Sequence, residues 1–232
     1  MADILPVMAR ASILLACAVL GAALVAGPAR AAHEVYAYRV VHPTYGDIGT
    51  YTNVVDRAGD DTNVQTELKI AVKAIGIVVY REEARRAEHW RNDRLVSFES
   101  VTVTNGNKLE VHGEARDGGF AITTPSGTVV APGNVHPSNP WSAMVLGTDY
   151  MMSTKTGRLV HVRVSGGEEE AVALNGNTLR LHQYEIIGDK RQFVWLDERG
   201  ITVAFRTEEN GAPVDFILAP PQEAAGGRAG SR

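Results

Sequence analysis

The sequence predicts a mainly β fold: a large curved antiparallel meander, a half-barrel or open barrel of about ten to twelve strands, with one short helix. Three observations carry this. Apolar residues alternate with period two through most of Val35 to Leu218, as in strands that turn one face to a core and the other to water or a cavity. Two Asn-Gly pairs, Asn105-Gly106 and Asn175-Gly176, stand between such runs, where consecutive residues take positive φ in a tight hairpin. Glycine-bearing turns such as "RAGDD", "RDGG", "SGGE", "DERG" and "ENGA" punctuate the rest, and the short connections leave no room for crossover helices.

Residues 1–31 are read as a cleavable leader. Arg10 precedes the apolar run "ASILLACAVLGAALVAG", and small residues at Ala29 and Ala31 place cleavage between Ala31 and Ala32. A membrane anchor is the competing reading, but seventeen apolar residues ending in Gly-Pro are marginal for a span, and no basic stop follows. Cys17 resembles a lipidation site, yet the apolar run continues beyond it where a polar tether belongs. The exported chain is then periplasmic or secreted. It has no cysteine, because Cys17 is the only one, and this excludes disulfides, thiol catalysis and cysteine metal sites. The remaining 201 residues (232 less 31) suit one β domain over 32–218, followed by a disordered Pro/Gly/Ala-rich tail over 219–232. Removing Asp3, Arg10 and Arg30 takes the net charge from −4 to −5. Such a mildly acidic, unclustered balance argues against nucleic acid as a partner.

Within the domain, "ELKIAVKA" sets Leu68, Ile70 and Val72 on one face and Glu67, Lys69 and Lys73 on the other. "RLVHVRV" and "TLRLHQYEI" alternate in the same way as two further strands. "YREEARRAEHWRNDRL" has the composition of a charged helix but no apolar stripe at helical spacing. It is read as a long solvated edge strand turning at Asn92-Asp93, since charge on an edge blocks sheet-to-sheet pairing. In "SNPWSAMVLGT", Asn139 reads as a helix N-cap with Pro140 at the first helical position. Trp141, Met144, Val145 and Thr148 follow at helical spacing, so this stretch is the expected short helix.

The chemical motifs are sparse. His33, His42, His89, His112, His136, His161 and His182 show no zinc-type spacing. His161 and His182 lie on successive expected strands and are the one pair placed to meet. A metal-dependent hydrolase using them, or His136, is the third-ranked function. No nucleophile elbow or phosphate loop is present, and Asp60-Asp61, Glu82-Glu83 and Glu168 to Glu170 sit in turns or charge runs that solvation explains. No catalytic residue, metal ligand or cofactor is therefore assigned. The remaining signal is shape. A curved sheet over a helix bearing Trp141 and Met144, with Tyr150 and Met152 following, would enclose an apolar pocket suited to a lipid or other small apolar ligand. The competing reading is that these residues fill an ordinary core. The alternative function is an interaction module that docks an envelope protein through an exposed strand edge or the charged 80–94 segment.

The stretches "HPTYGDIGTYTN", "ELKIAVKAIGIVVYREEARRAEHW", "VTVTNGN", "NVHPSNPWS" and "VWLDERGITVAFR" resemble a family of secreted alphaproteobacterial proteins classed as a domain of unknown function. Its "NPW" falls on Asn139, Pro140 and Trp141, and its "WLD" on Trp195, Leu196 and Asp197. The resemblance implies export and no catalytic residue. More remotely, the alternation resembles envelope half-barrels of the lipoprotein-carrier kind, in which a curved sheet wraps apolar cargo under a helical lid. Those carriers have several longer helices, and this sequence offers one short one.

Overall fold

The computed structural model describes residues 31–209 and 211–220, so all but the last residue of the expected leader and most of the expected tail lie outside the described residues. From the N-terminal side, eight strands run in succession: β1 (Ala32–His42), β2 (Gly46–Ala58), β3 (Asp61–Ala74), β4 (Ile77–Arg91), β5 (Arg94–Thr104), β6 (Asn107–Arg116), β7 (Gly119–Thr124) and β8 (Gly127–Ala131). A second series closes the chain: β12 (Arg163–Leu174), β13 (Asn177–Ile187), β14 (Arg191–Leu196), β15 (Thr202–Glu209) and β16 (Ala212–Leu218). Between them lie three short strands, β9 (His136–Pro137), β10 (Tyr150–Met152) and β11 (Leu159–His161).

The two series form one 13-stranded sheet, because β1 pairs with β16 and joins them. Every neighbouring pair is antiparallel, and the order runs from β12 through β16 and β1 to β8. Among the described residues β8 and β12 are unpaired edges, and the curved sheet does not close into a barrel. On β8, Val129 and Val130 are exposed. The connection from β8 to β12 carries the 3-stranded sheet β11-β10-β9. Its side chains enter both core clusters. Val145, Met151 and Val162 pack among Tyr38, Tyr51, Phe205 and Phe216, while Val135, Trp141 and Met152 pack among Trp90, Phe98 and Phe120. The connection is thus a plug that fills part of the lumen, which satisfies the rule that an open sheet must bury its apolar face against something.

Local chemistry explains the hairpins. Asn105-Gly106 and Asn175-Gly176 both take positive φ, as their type demands. Asn92 and Asp93 do the same at the β4–β5 turn. In "GDIGTY", Gly46 makes a turn at φ +67°, but Gly49 lies inside β2, where any Cβ would strike the Lys69 backbone of β3. The β3–β4 turn places Ile75 at φ 51° with its side chain fully exposed. A β-branched residue is strained in that region.

Four expectations change. Among the described residues the strands number 16 rather than about ten to twelve, 13 in the large sheet and three short ones in the plug. "RLVHVRV" breaks at Val162, where the chain leaves the small sheet and enters β12. The expected helix is a 3-10 turn over Ala143–Gly147 with Ser142 as N-cap, whose side chain accepts from the Met144 N–H. Asn139 does not cap it. Finally, β4 is not an edge: it sits between β3 and β5 and is paired along nearly its whole length.

Candidate functional site

The site begins with the inward face of β4. Tyr80, Glu82, Ala84, Arg86, Glu88 and Trp90 alternate with exposed Arg81, Glu83, Arg85 and Arg91. Glu82, Arg86 and Glu88 are therefore interior charges, at 7%, 9% and 2% exposure. A buried charge requires partners.

Glu88 obtains them from the plug. Its Oε1 accepts from Asn139 Nδ2 at 2.8 Å. Its Oε2 accepts from Trp90 Nε1 at 2.9 Å and from Trp141 Nε1 at 3.0 Å. Burial pushes the Glu88 carboxyl up from its ordinary range, while the three donors pull it down. Asn139, wholly buried, also donates to Thr66 Oγ1 at 3.1 Å and accepts from the Tyr51 hydroxyl at 2.5 Å. Thr66 in turn donates to Asn53 Oδ1 at 2.7 Å. Burial takes the Tyr51 phenol up to about 12, against the pull of the neighbouring Arg86 guanidinium. Further along, the Pro140 carbonyl accepts from the Thr202 hydroxyl, and the Tyr38 hydroxyl donates to the Thr202 carbonyl at 2.8 Å. The "NPW" loop is thus a buried polar knot that pins the plug to β2, β3, β4 and β15.

Glu82 is served differently. It accepts from Lys155 of the plug, from Tyr80 and from Thr104. Burial would raise its pKa, but the Lys155 ammonium and the Tyr80 hydroxyl hold it below the usual value.

Above the knot, between plug and sheet, lies a cavity of about 750 Å³. Ile48, Leu68, Ile70, Val72, Met151 and Phe216 form apolar wall, and Arg86 belongs to the same lining. Lys155, Arg158, Lys190 and Arg191, together with the carboxylates of Glu82, Asp189 and Glu209, add charge of both signs to it. A smaller cleft of about 510 Å³ on the other side of the plug is lined by Trp90, Arg94, His136 and Met144, among others. His136 is buried, with Nδ1 donating to the Pro137 carbonyl at 2.7 Å and its ring 4.8 Å from that of Trp90. Burial lowers its pKa from 6.5 to about 4.

The four expected pocket residues fall in different places. Trp141 and Met152 belong to one core cluster and are almost fully buried. Met144 is half-buried against the small cleft, and Tyr150 packs edge-on against His161 at 5.1 Å. None of the four lines the larger cavity, whereas Met151 does. His161 and His182 are held in different sheets, His161 opposite Tyr150 and His182 opposite Leu196. Among the described residues, no three His, Cys, Asp or Glu side chains gather at metal-binding distance. Glu82, Arg86 and Glu88 escaped sequence reasoning because the run around them reads as a solvated face. The available signal was Tyr80, Ala84 and Trp90 on the same alternate positions.

An open antiparallel sheet whose own connecting segment plugs the lumen, and leaves a cavity beside the plug, defines a β-barrel-like domain. The chain belongs to the family of the domain of unknown function DUF6134, which it matches over residues 38–219. Its fold is similar to that in the crystal structure of a β-barrel-like protein of domain of unknown function DUF1849 from Brucella abortus. That likeness has 12% sequence identity and a TM-score of 0.60, covering 81% of this chain and 95% of that one. No curated protein matches the chain.

Proposed function

We propose that this protein is exported and binds an apolar or amphiphilic envelope molecule in the cavity between plug and sheet, without catalysing a reaction. The cavity itself carries the reading. At about 750 Å³ it falls within the range of small-molecule sites, ~300–1,000 Å³. Its wall mixes aliphatic, Met and Phe side chains with a few charged groups, which suits a ligand with a long apolar part. The two lining serines support a non-catalytic role: Ser138 Oγ accepts from the Thr154 N–H and Ser153 Oγ from the Thr156 N–H, rather than meeting a histidine base. Export rests on the leader features of residues 1–31.

Ile70 is a half-buried wall residue, so Ile70→Trp fills part of the cavity without opening the core. Uptake of the neutral apolar dye N-phenyl-1-naphthylamine, followed by its fluorescence, is expected to weaken at least tenfold in this variant while Tm stays near the wild-type value. A wild-type protein that takes up no dye, or a variant that takes it up equally well, contradicts the reading.

A further inference from the structure

Arg86 is the arginine of β4 with no carboxylate at ion-pair distance among the described residues. Its neighbours on the outer face are all served: Arg81 lies 3.9 Å from Glu83, Arg85 3.7 Å from Glu67, and Arg91 3.0 Å from Asp61. Arg86 faces inward at 9% exposure, and no carboxylate among the described residues lies within ion-pair distance of it. Its Nε is buried and has no hydrogen-bond partner.

The two acids on the same inward face are already committed. Glu82 is taken by Lys155, Tyr80 and Thr104. The Glu88 oxygens are filled by the neutral donors Asn139, Trp90 and Trp141, and the Arg86 charge acts on that carboxyl only from beyond ion-pair distance. Arg86 lies between them in the lining of the larger cavity, near Tyr51, where the apolar wall meets the polar knot. A guanidinium cannot shed its proton to relieve burial, and its planar fork of donors matches an oxyanion bidentately. An unpaired buried cation is costly, and an anion entering the cavity offsets that cost.

We infer that the cavity takes an amphiphile with an anionic oxyanion head, its carboxylate or phosphate set against Arg86 and its chain along Leu68, Ile70, Val72 and Met151. This rests on the reading of the cavity as a ligand site and adds the ligand's charge and orientation.

The test is displacement of bound N-phenyl-1-naphthylamine by hexadecanoate, by hexadecyl phosphate and by hexadecanol, which share one chain. For the wild type, one or both anions are expected to displace the dye at concentrations at least tenfold below the alcohol. The more effective of the two names the head group. Arg86→Gln is expected to erase that gap while leaving displacement by hexadecanol unchanged, and Arg86→Lys to keep part of it. Equal displacement by anion and alcohol in the wild type overturns the inference and needs no variant to fold. So does a gap that survives in folded Arg86→Gln. In both cases dye binding and alcohol displacement leave the ligand site standing, whereas failure of the wild type to bind dye or any of the three sinks both.

Discussion

Glu88→Ala is expected to destabilise the protein by about 3–5 kcal/mol, the range for removing one member of a buried charged network. The magnitude follows from what is left behind. The Trp90 and Trp141 indole N–H groups and the Asn139 amide all donate to this carboxylate. Each buried donor left without an acceptor costs about 1–3 kcal/mol, partly relieved by water or local shifts. Chemical denaturation by urea measures the effect as a fall in midpoint. Trp141→Phe, which keeps a large ring and removes one donor, should cost less, and the double variant less than the sum, because one orphaned group is then gone. A Glu88→Ala protein within about 1 kcal/mol of wild type would mean that the knot does not hold the plug.

The second large effect is acid sensitivity from His136. In the folded protein its pKa lies at about 4, below the 6.5 of an unfolded histidine, because burial disfavours the imidazolium. Below pH ~6.5 the unfolded chain binds a proton that the folded chain refuses, so folded stability falls as pH drops. The contribution is fully present above pH ~6.5 and lost progressively toward pH ~4. A shift of this size corresponds to about 3 kcal/mol at 1.36 kcal/mol per pKa unit. His136→Asn retains a side-chain donor for the Pro137 carbonyl and removes the titration. Its stability, measured by denaturation across pH 4 to 7, should decline less steeply than that of the wild type by about that amount. Parallel pH profiles for the two proteins would show that His136 is not the acid-sensitive group.

Much of the architecture was legible because it rests on local rules. Period-two alternation placed most of the long strands, and Asn105-Gly106, Asn175-Gly176 and Asn92-Asp93 turn where their side chains and backbones favour positive φ. What failed was long-range. β4 carries charge on both faces, so its pattern resembles a solvated edge, and the groups that make its interior charges tolerable, Asn139, Trp141 and Lys155, come from the plug more than fifty positions away. Asn139 has the chemistry of a cap, but Tyr51, Thr66 and Glu88 compete for its side chain and win. With the cap displaced to Ser142, too few residues remain before Gly147 for a regular helix. The four residues expected at a pocket do not line the larger cavity, whose wall is shared by β2, β3, β4, the far series and the plug, the last contributing Met151, Lys155, Val160 and Val162 among others. Adjacent residues on a strand face opposite ways, so Met151 enters the cavity lining while Met152 goes to the core.

The most direct test of ligand binding is native mass spectrometry of the protein, isolated without detergent and compared before and after denaturation. A protein that binds such a ligand shows an additional mass that leaves on denaturation, whose fragments identify an apolar chain with an anionic head. A protein that carries no additional mass, and acquires none when offered hexadecanoate, hexadecyl phosphate or hexadecanol, would contradict the proposed binding.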